Sequence, residues 1–287
     1  MKTKLVFLTL VSAFSLQPSA RLHAVTTITD TNHYAYAANL GWVEGRGDVA
    51  NGAVIGEYVC SGYLYAANVG WIHLGDSTAA NGIQYQNNSA SDYGLNHDGA
   101  GNLRGYAYGA NIGWVNFENT GAPKVDLATG KLSGYAYSAN CGWLSLSNAQ
   151  AVVQTATIAP GIDSDGDGIA DAWELTYTNT LTAFTATSDT DHDGLTDKQE
   201  YLADTNPLDA NDLLEITSFT RSGTYNTLWW TSEPTRFYRV ERRAAFDVAS
   251  PWETIISYDW PGWNNVGFDN TGPRFFYRIR AVKPLAP

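Results

Sequence analysis

One nine-residue pattern, Tyr-x-Tyr-x-Ala-Asn-x-Gly-Trp, occurs four times, beginning at Tyr34, Tyr63, Tyr106 and Tyr135 and ending at Trp42, Trp71, Trp114 and Trp143. The tryptophans are separated by 29, 43 and 29 residues, so the true period is 72 and a pair of motifs has been duplicated once. In each copy the two tyrosines sit at i and i+2 and share one face of a strand, while Asn and Gly tolerate the positive φ of a reversal. A β-hairpin follows, with Trp and Tyr rings meeting across its strands, where such pairs contribute roughly 0.2–1 kcal/mol each. Turn signals at Asp98-Gly99 with Gly101, and at Thr129-Gly130, add a third strand to the later copies. Residues 28–150 are therefore expected to form an antiparallel all-β domain of about a dozen short strands.

Two readings compete for the repeated rings. As core, each copy would pack its Trp and Tyr against its neighbour, since stacked repeats need a repeated apolar contact. As a surface, the rings would be flat platforms for sugars. The sequence expectation is core, and the exposure of the four tryptophans decides between scaffold and site.

The second organising feature is acidic. Asp163-Ser-Asp-Gly-Asp-Gly-Ile-Ala-Asp-Ala-Trp-Glu174 and Asp189-Thr-Asp-His-Asp-Gly-Leu-Thr-Asp-Lys-Gln-Glu200 recur in one register. Acids at spacing two in a tight loop turn toward one point, and Gly168 and Gly194 permit the bend. Asp163, Asp165, Asp167, the carbonyl of Ile169, Asp171 directly or through water, and Glu174 make one oxygen cage. Asp189, Asp191, Asp193, the carbonyl of Leu195, Asp197 and Glu200 make the other. Hard oxygen donors select Ca2+ over zinc or copper. The spacing is that of an EF-hand loop, but no amphipathic helix leads into either loop, and the apolar Ile169 and Leu195 follow the glycine at once. Short helices are expected near Asp171 to Tyr177 and Thr196 to Leu202.

Charge supports this division. Residues 163–212 hold 13 of the 29 acidic side chains and a single base, Lys198. The net charge of −12 thus belongs to this segment, and the remainder is balanced with 16 acids and 16 bases. No basic patch is left for nucleic acid.

The acidic segment, 163–212, resembles the thrombospondin type 3 repeat, a family of calcium-wrapped segments. By that likeness Asp204, Asn206, Asp209 and Asp212 would add ligands. The aromatic motif, over residues 33–148, resembles repeats of exported bacterial proteins that often also carry thrombospondin type 3 repeats, and that resemblance names no activity.

Residues 151–162 have lost the motif and read as a linker. Residues 213–287 alternate again, with runs at 214–219, 227–230, 237–240, 252–256 and 275–281 broken by Pro, Gly and Asn, as in a β-sandwich of fibronectin type III or immunoglobulin-like form. Trp260 and Trp263 flank a Pro-Gly turn and are a candidate ligand-binding tip as well as a candidate plug. Arg239, Arg242, Arg278 and Arg280 are expected on a solvated face. The fold class is mainly β: a repeat-built antiparallel domain, a calcium-loop segment with short helices, and a C-terminal sandwich.

At the N-terminus, Met1-Lys-Thr-Lys and the apolar run Leu5 to Leu16 fit a signal peptide over residues 1–24, with Ala20 or Ala24 as the small residue for cleavage. No later run approaches the roughly 20 apolar residues of a membrane span. Cys60 and Cys141 are too few for a disulfide framework and are read as buried, unpaired thiols, although an exported protein would allow one bond. Arg46-Gly-Asp48 matches the cell-adhesion tripeptide and is read as a hairpin tip. No nucleophile elbow, zinc-protease motif or phosphate loop is present. The sequence thus favours an exported, non-catalytic structural or adhesive protein, secreted or on the cell surface, in which calcium stiffens the link between two β domains. A carbohydrate-binding protein and a polysaccharide-active enzyme are the alternatives, and an extracellular glycan or a cell-surface protein is the partner class.

Overall fold

Alternation along each strand decides which side chains the repeat buries. The computed structural model describes residues 25–47, 49–245, 250–258, 260–269 and 275–287. The segment read as a signal peptide and Asp48 of the adhesion tripeptide lie outside these. The chain is mainly β, as the sequence implies. Twelve strands precede the acidic loops: β1 (Ile28–Ala37), β2 (Gly41–Glu44), β3 (Ser61–Ala66), β4 (Gly70–Asp76), β5 (Leu95–His97), β6 (Leu103–Gly109), β7 (Gly113–Asn116), β8 (Lys124–Val125), β9 (Leu132–Ser133), β10 (Tyr135–Ser138), β11 (Gly142–Ser145) and β12 (Val153–Thr155).

Each motif forms one hairpin, β1–β2, β3–β4, β6–β7 and β10–β11. Neighbouring hairpins pair through equivalent positions: Val43 with Ala66, Ile72 with Gly109, Val115 with Ser138, and Leu144 with Ala37. The last pairing joins β11 back to β1, so eight strands close into a barrel and the ring has no free edge. The side chains between and opposite the motif aromatics, among them Ala35, Val43, Leu64, Ile72, Ala107, Val115, Ala136 and Leu144, are buried and form its core.

The tryptophans are not part of that core. Trp42, Trp71, Trp114 and Trp143 are between 43% and 51% exposed, which overturns the core expectation. An eight-stranded ring leaves room for a filling of small and aliphatic side chains, and the alternating Ala and branched positions supply it. The Tyr and Trp rings therefore stand on the outer face. Each Trp lies between the two Tyr of its own hairpin, with centroids 4.8 to 6.2 Å apart.

The turns have a second role. Leu40, Ile112 and Cys141 are buried at the hairpin tips, with Val69 half-buried beside them. The motif Asn donates its side-chain amide to the backbone of the adjoining tip: Asn39 to the Cys141 carbonyl (3.1 Å), Asn140 to Ile112 (3.0 Å), Asn111 to Val69 (2.9 Å) and Asn68 to Leu40 (3.2 Å). These four bonds run one way round the end of the barrel and close a cycle.

The stretch read as a linker, 151–162, is part of this unit. β12 pairs with β1, and the Ala156 and Ala159 amides donate to Thr27 and Ile55. Its alternating Val-Gln-Thr can add a strand although the aromatic motif is gone. Cys60 and Cys141 are both free and buried. Burial pushes the Cys60 thiol up to about 12, so it is inert.

After two short helices, α1 (Asp171–Tyr177) and α2 (Asp197–Ala203), six strands follow: β13 (Ile216–Ser222), β14 (Tyr225–Trp230), β15 (Phe237–Arg243), β16 (Glu253–Tyr258), β17 (Asn265–Asp269) and β18 (Phe276–Val282). They form two three-stranded antiparallel sheets, β13-β14-β17 and β16-β15-β18. Both sheets contribute to one cluster around Leu228, Trp230, Tyr238, Val240 and Val266. Of the four arginines expected on a solvated face, Arg278 and Arg280 bond to the buried Glu241, and Arg242 pairs with Glu253.

The two β units are in direct contact, where the sequence reading held them apart. Phe237 from the sandwich belongs to the barrel's buried cluster, with Val282 and Leu285 packed against it, and the Ile158 amide donates to the Leu285 carbonyl (2.9 Å). The Ile158–Leu285 bond joins positions 127 residues apart, so no local pattern announces it. Among the described residues no helix is long and apolar enough to cross a membrane.

Candidate metal centre

The two acidic loops repeat most of each other's hydrogen bonds at an offset of 26 residues. Asp163 accepts from the Gly168 amide (2.9 Å) as Asp189 does from Gly194 (3.0 Å). Asp167 accepts from Ile169 (2.8 Å) as Asp193 does from Leu195 (2.6 Å). Where the first loop has Gly166 at φ +80°, the second has His192 at φ +67°, a conformation that costs a non-glycine residue energy. The His192 Nδ1 to Asp189 carbonyl contact, 2.9 Å, holds that turn.

This folding gathers Asp163, Asp165 and Asp167 at one point and Asp189, Asp191 and Asp193 at another, each triad with ligand oxygens within 4.8 Å of one another. Glu174 and Glu200, one per loop, come from the first turns of α1 and α2 and are fully buried. Both oxygens of each have no hydrogen-bond partner, and the same holds for one oxygen each of Asp167, Asp189, Asp191 and Asp193. A buried carboxylate without a partner is strongly unfavourable. Burial, followed by the charges of Asp165 and Asp167, pushes the Glu174 carboxyl up to about 8. Burial, followed by Asp191 and Asp193, does the same for Glu200. A hard cation satisfies these oxygens, and three Asp with a bidentate Glu leave one to three positions for a carbonyl and water in a shell of about six to eight oxygens.

The remaining predicted ligands have other partners. Asp171 accepts from the Ser164 amide (2.7 Å) and hydroxyl, and Asp197 from the Thr190 amide (3.0 Å) and the Ser188 hydroxyl. Both lock the loop onto its helix, where the sequence reading had them ligating directly or through water. Ile169 is buried in a small core with Trp173, Phe184 and Tyr201, and Leu195 is half-buried; each follows its glycine as the bend requires. Asp204 bonds Thr235, Asp212 caps the Asn206 amide (3.1 Å), and Asp209 holds Asn211, so the structure uses these acids to close turns and dock the sandwich. Trp263 stacks on Tyr258 (5.2 Å), whereas Trp260 stands 70% exposed.

Two features of the site had no place in the sequence reading. Thr196 and Gln199 form a reciprocal capping box at the start of α2, a signal that Thr-x-x-Gln does carry. The other is the weld at the far end of that helix. Arg236, 4% exposed, donates to the carbonyls of Leu202 (2.8 Å) and Tyr201 (3.0 Å) and lies 3.5 Å from Asp204 and 3.9 Å from Glu57. Lys283 pairs with Glu57 at 2.7 Å and sits over the Tyr201 ring. Barrel, acidic segment and sandwich meet in this cluster. Lys198, also on α2, reaches the Asp167 carbonyl (3.0 Å) and joins the second loop's helix to the first loop.

No curated protein and no solved structure matches the chain. A family model described as the bacterial TSP3 repeat matches residues 163–180 and 189–210, the two loops with their helices. The segment from 163 to 210 is a pair of thrombospondin type 3 calcium repeats.

Proposed function

We propose that this is an exported structural protein in which two calcium ions set the junction of two β units. The observation that carries the reading is the pair of buried, unbonded glutamates, each on the helix that leaves an Asp triad. Asp163, Asp165, Asp167 and Glu174 would hold one ion, with the Ile169 carbonyl; Asp189, Asp191, Asp193 and Glu200 would hold the other, with the Leu195 carbonyl. Calcium supplies the positive charge that lets each acid cluster ionise together. Glu200 and the Tyr201 and Leu202 carbonyls that grip Arg236 lie on the same two turns of α2, so ordering the loop orders the weld. Export is supported by the apolar stretch from Leu5 to Leu16 and by the occurrence of TSP3 repeats in extracellular proteins.

The test is a thermal melt of purified protein in calcium and in excess EDTA, with calorimetric titration of the metal-free form. The expected result is a lower melting temperature without calcium and uptake of two ions per chain. An unchanged melting curve in EDTA would overturn the reading.

A further inference from the structure

The outer face of the barrel is more ordered than hairpin stability alone requires. Cross-strand register aligns its side chains into four rows, each read across four successive strands. They are Tyr34-Glu44-Tyr65-Trp71, Tyr63-His73-Tyr108-Trp114, Tyr106-Asn116-Tyr137-Trp143 and Tyr135-Ser145-Tyr36-Trp42. Three aromatics recur in every row, and the polar member differs: Glu, His, Asn and Ser.

Two rows open onto cavities. The longest interval between motifs, Trp71 to Trp114, has 14 residues more than the other two. Part of that interval, residues 77–94, forms a loop that folds back over the barrel wall. It borders an open cavity of about 400 Å³ between Asn88, Ser89 and Tyr93 on its own side and Tyr106 and Trp114 on the barrel. A second cavity of about 240 Å³ lies against Tyr137 and Trp143, with Asn116, Glu118 and Thr120 as its polar wall. Tyr106 of the first cavity and Asn116 of the second are directly opposed across one hairpin, so the two adjoin. Trp114 and Trp143 lie two strands apart, which at the usual strand spacing is on the order of 10 Å.

The lining fixes the ligand chemistry. Half-exposed tryptophans offer apolar faces, and the other groups are amides, hydroxyls and one carboxylate. No Lys or Arg lines either cavity, so nothing there neutralises a phosphate, sulfate or uronate. A pyranose ring presents the complement: an apolar C–H face for an indole and a rim of hydroxyls for Asn, Ser, Thr and Glu. We propose that these adjoining cavities form a binding cleft for a neutral glycan chain, with Trp114 and Trp143 stacking two of its sugar rings. Asn88, whose amide has no bond among the described residues, and Asn116 would take hydroxyls.

The test uses the full mature chain saturated with calcium. Retention is measured on insoluble cellulose, chitin, xylan and starch, and indole fluorescence is titrated with soluble oligosaccharides of the same glycans. Retention on at least one neutral glycan is expected, with an oligosaccharide affinity that falls at least tenfold in Trp114→Ala and in Trp143→Ala while the melting temperature holds. Trp114→Phe should retain part of the affinity. Trp42→Ala and Trp71→Ala, which line neither of these two cavities, should bind as wild type. Absence of binding across the neutral panel would overturn the proposal. So would binding only to anionic polysaccharide or to a proline-rich peptide, or equal loss in all four tryptophan variants. Because calcium stays bound throughout, such a failure would leave the calcium reading intact.

Discussion

A carboxylate that is buried and unbonded resists ionisation, and Glu174 and Glu200 are in that position whenever calcium is absent. Each has a metal-free folded pKa of about 8 against an ordinary 4.5. Between those values the folded chain keeps protons that the unfolded chain has lost. Folded-state proton binding is the greater, so metal-free stability falls as pH rises through this window. Melts in EDTA at pH 5 and pH 8 should show the lower transition at pH 8. Calcium should remove that difference, and the double change Glu174→Gln, Glu200→Gln should flatten the metal-free profile. The two acid clusters were readable because acids at spacing two, a glycine and a distant Glu form a local pattern. The other duty of Asp171 and Asp197, bonding back to Ser164 and Thr190, depends on which way the helix leaves the loop, and spacing does not encode that.

At the scale of the element, the hairpins were legible and their assembly was not. Tyr-x-Tyr and Gly-Trp set which residues pair across each hairpin, and the register places Tyr36 opposite Trp42 as the pattern implies. Which face turns inward was misread, because the buried Ala, Val, Leu and Ile positions look unremarkable beside the repeated Tyr and Trp rings. The Asn amides close the barrel end, so each Asn→Ala change removes an inter-hairpin bond and leaves a turn carbonyl unbonded. Asn68→Ala or Asn140→Ala should cost about 1 kcal/mol, read as a melt lowered by about 2–4 °C. An Asn that served the turn alone would tolerate Gly at the same position, whereas here Asn140→Gly should cost at least as much. Thermal melts of the three variants separate the two roles.

Over the whole molecule, the decisive group is Arg236. Its guanidinium is buried where barrel, repeats and sandwich meet, and removing it would leave Asp204 without its cation and Glu57 to Lys283 alone, and would free the carbonyls at the end of α2. Breaking a buried pair in this way costs about 3–5 kcal/mol. In calcium, Arg236→Ala should split a single calorimetric transition into two, as the sandwich loses its dock, and should expose the segment near residue 213 to limited proteolysis. A single unchanged transition would mean that Phe237 and the Leu285 contact hold the units together without it. Nothing near Arg236 in the chain marks this role, since Glu57, Asp204 and Lys283 come from three distant segments.

Local pattern by itself determined the β-hairpins, the two acidic TSP3-type loops, the short helices and the confinement of net charge to residues 163–212. Each follows from residues within about a dozen positions of one another, where strand alternation, turn conformation and ligand spacing act directly. Closure of the barrel, the outward face of the tryptophans, the cavity bordered by residues 77–94, and the weld at Arg236 were decided only in three dimensions. They depend on which distant strand fills the last open edge and on how little volume an eight-stranded ring leaves inside.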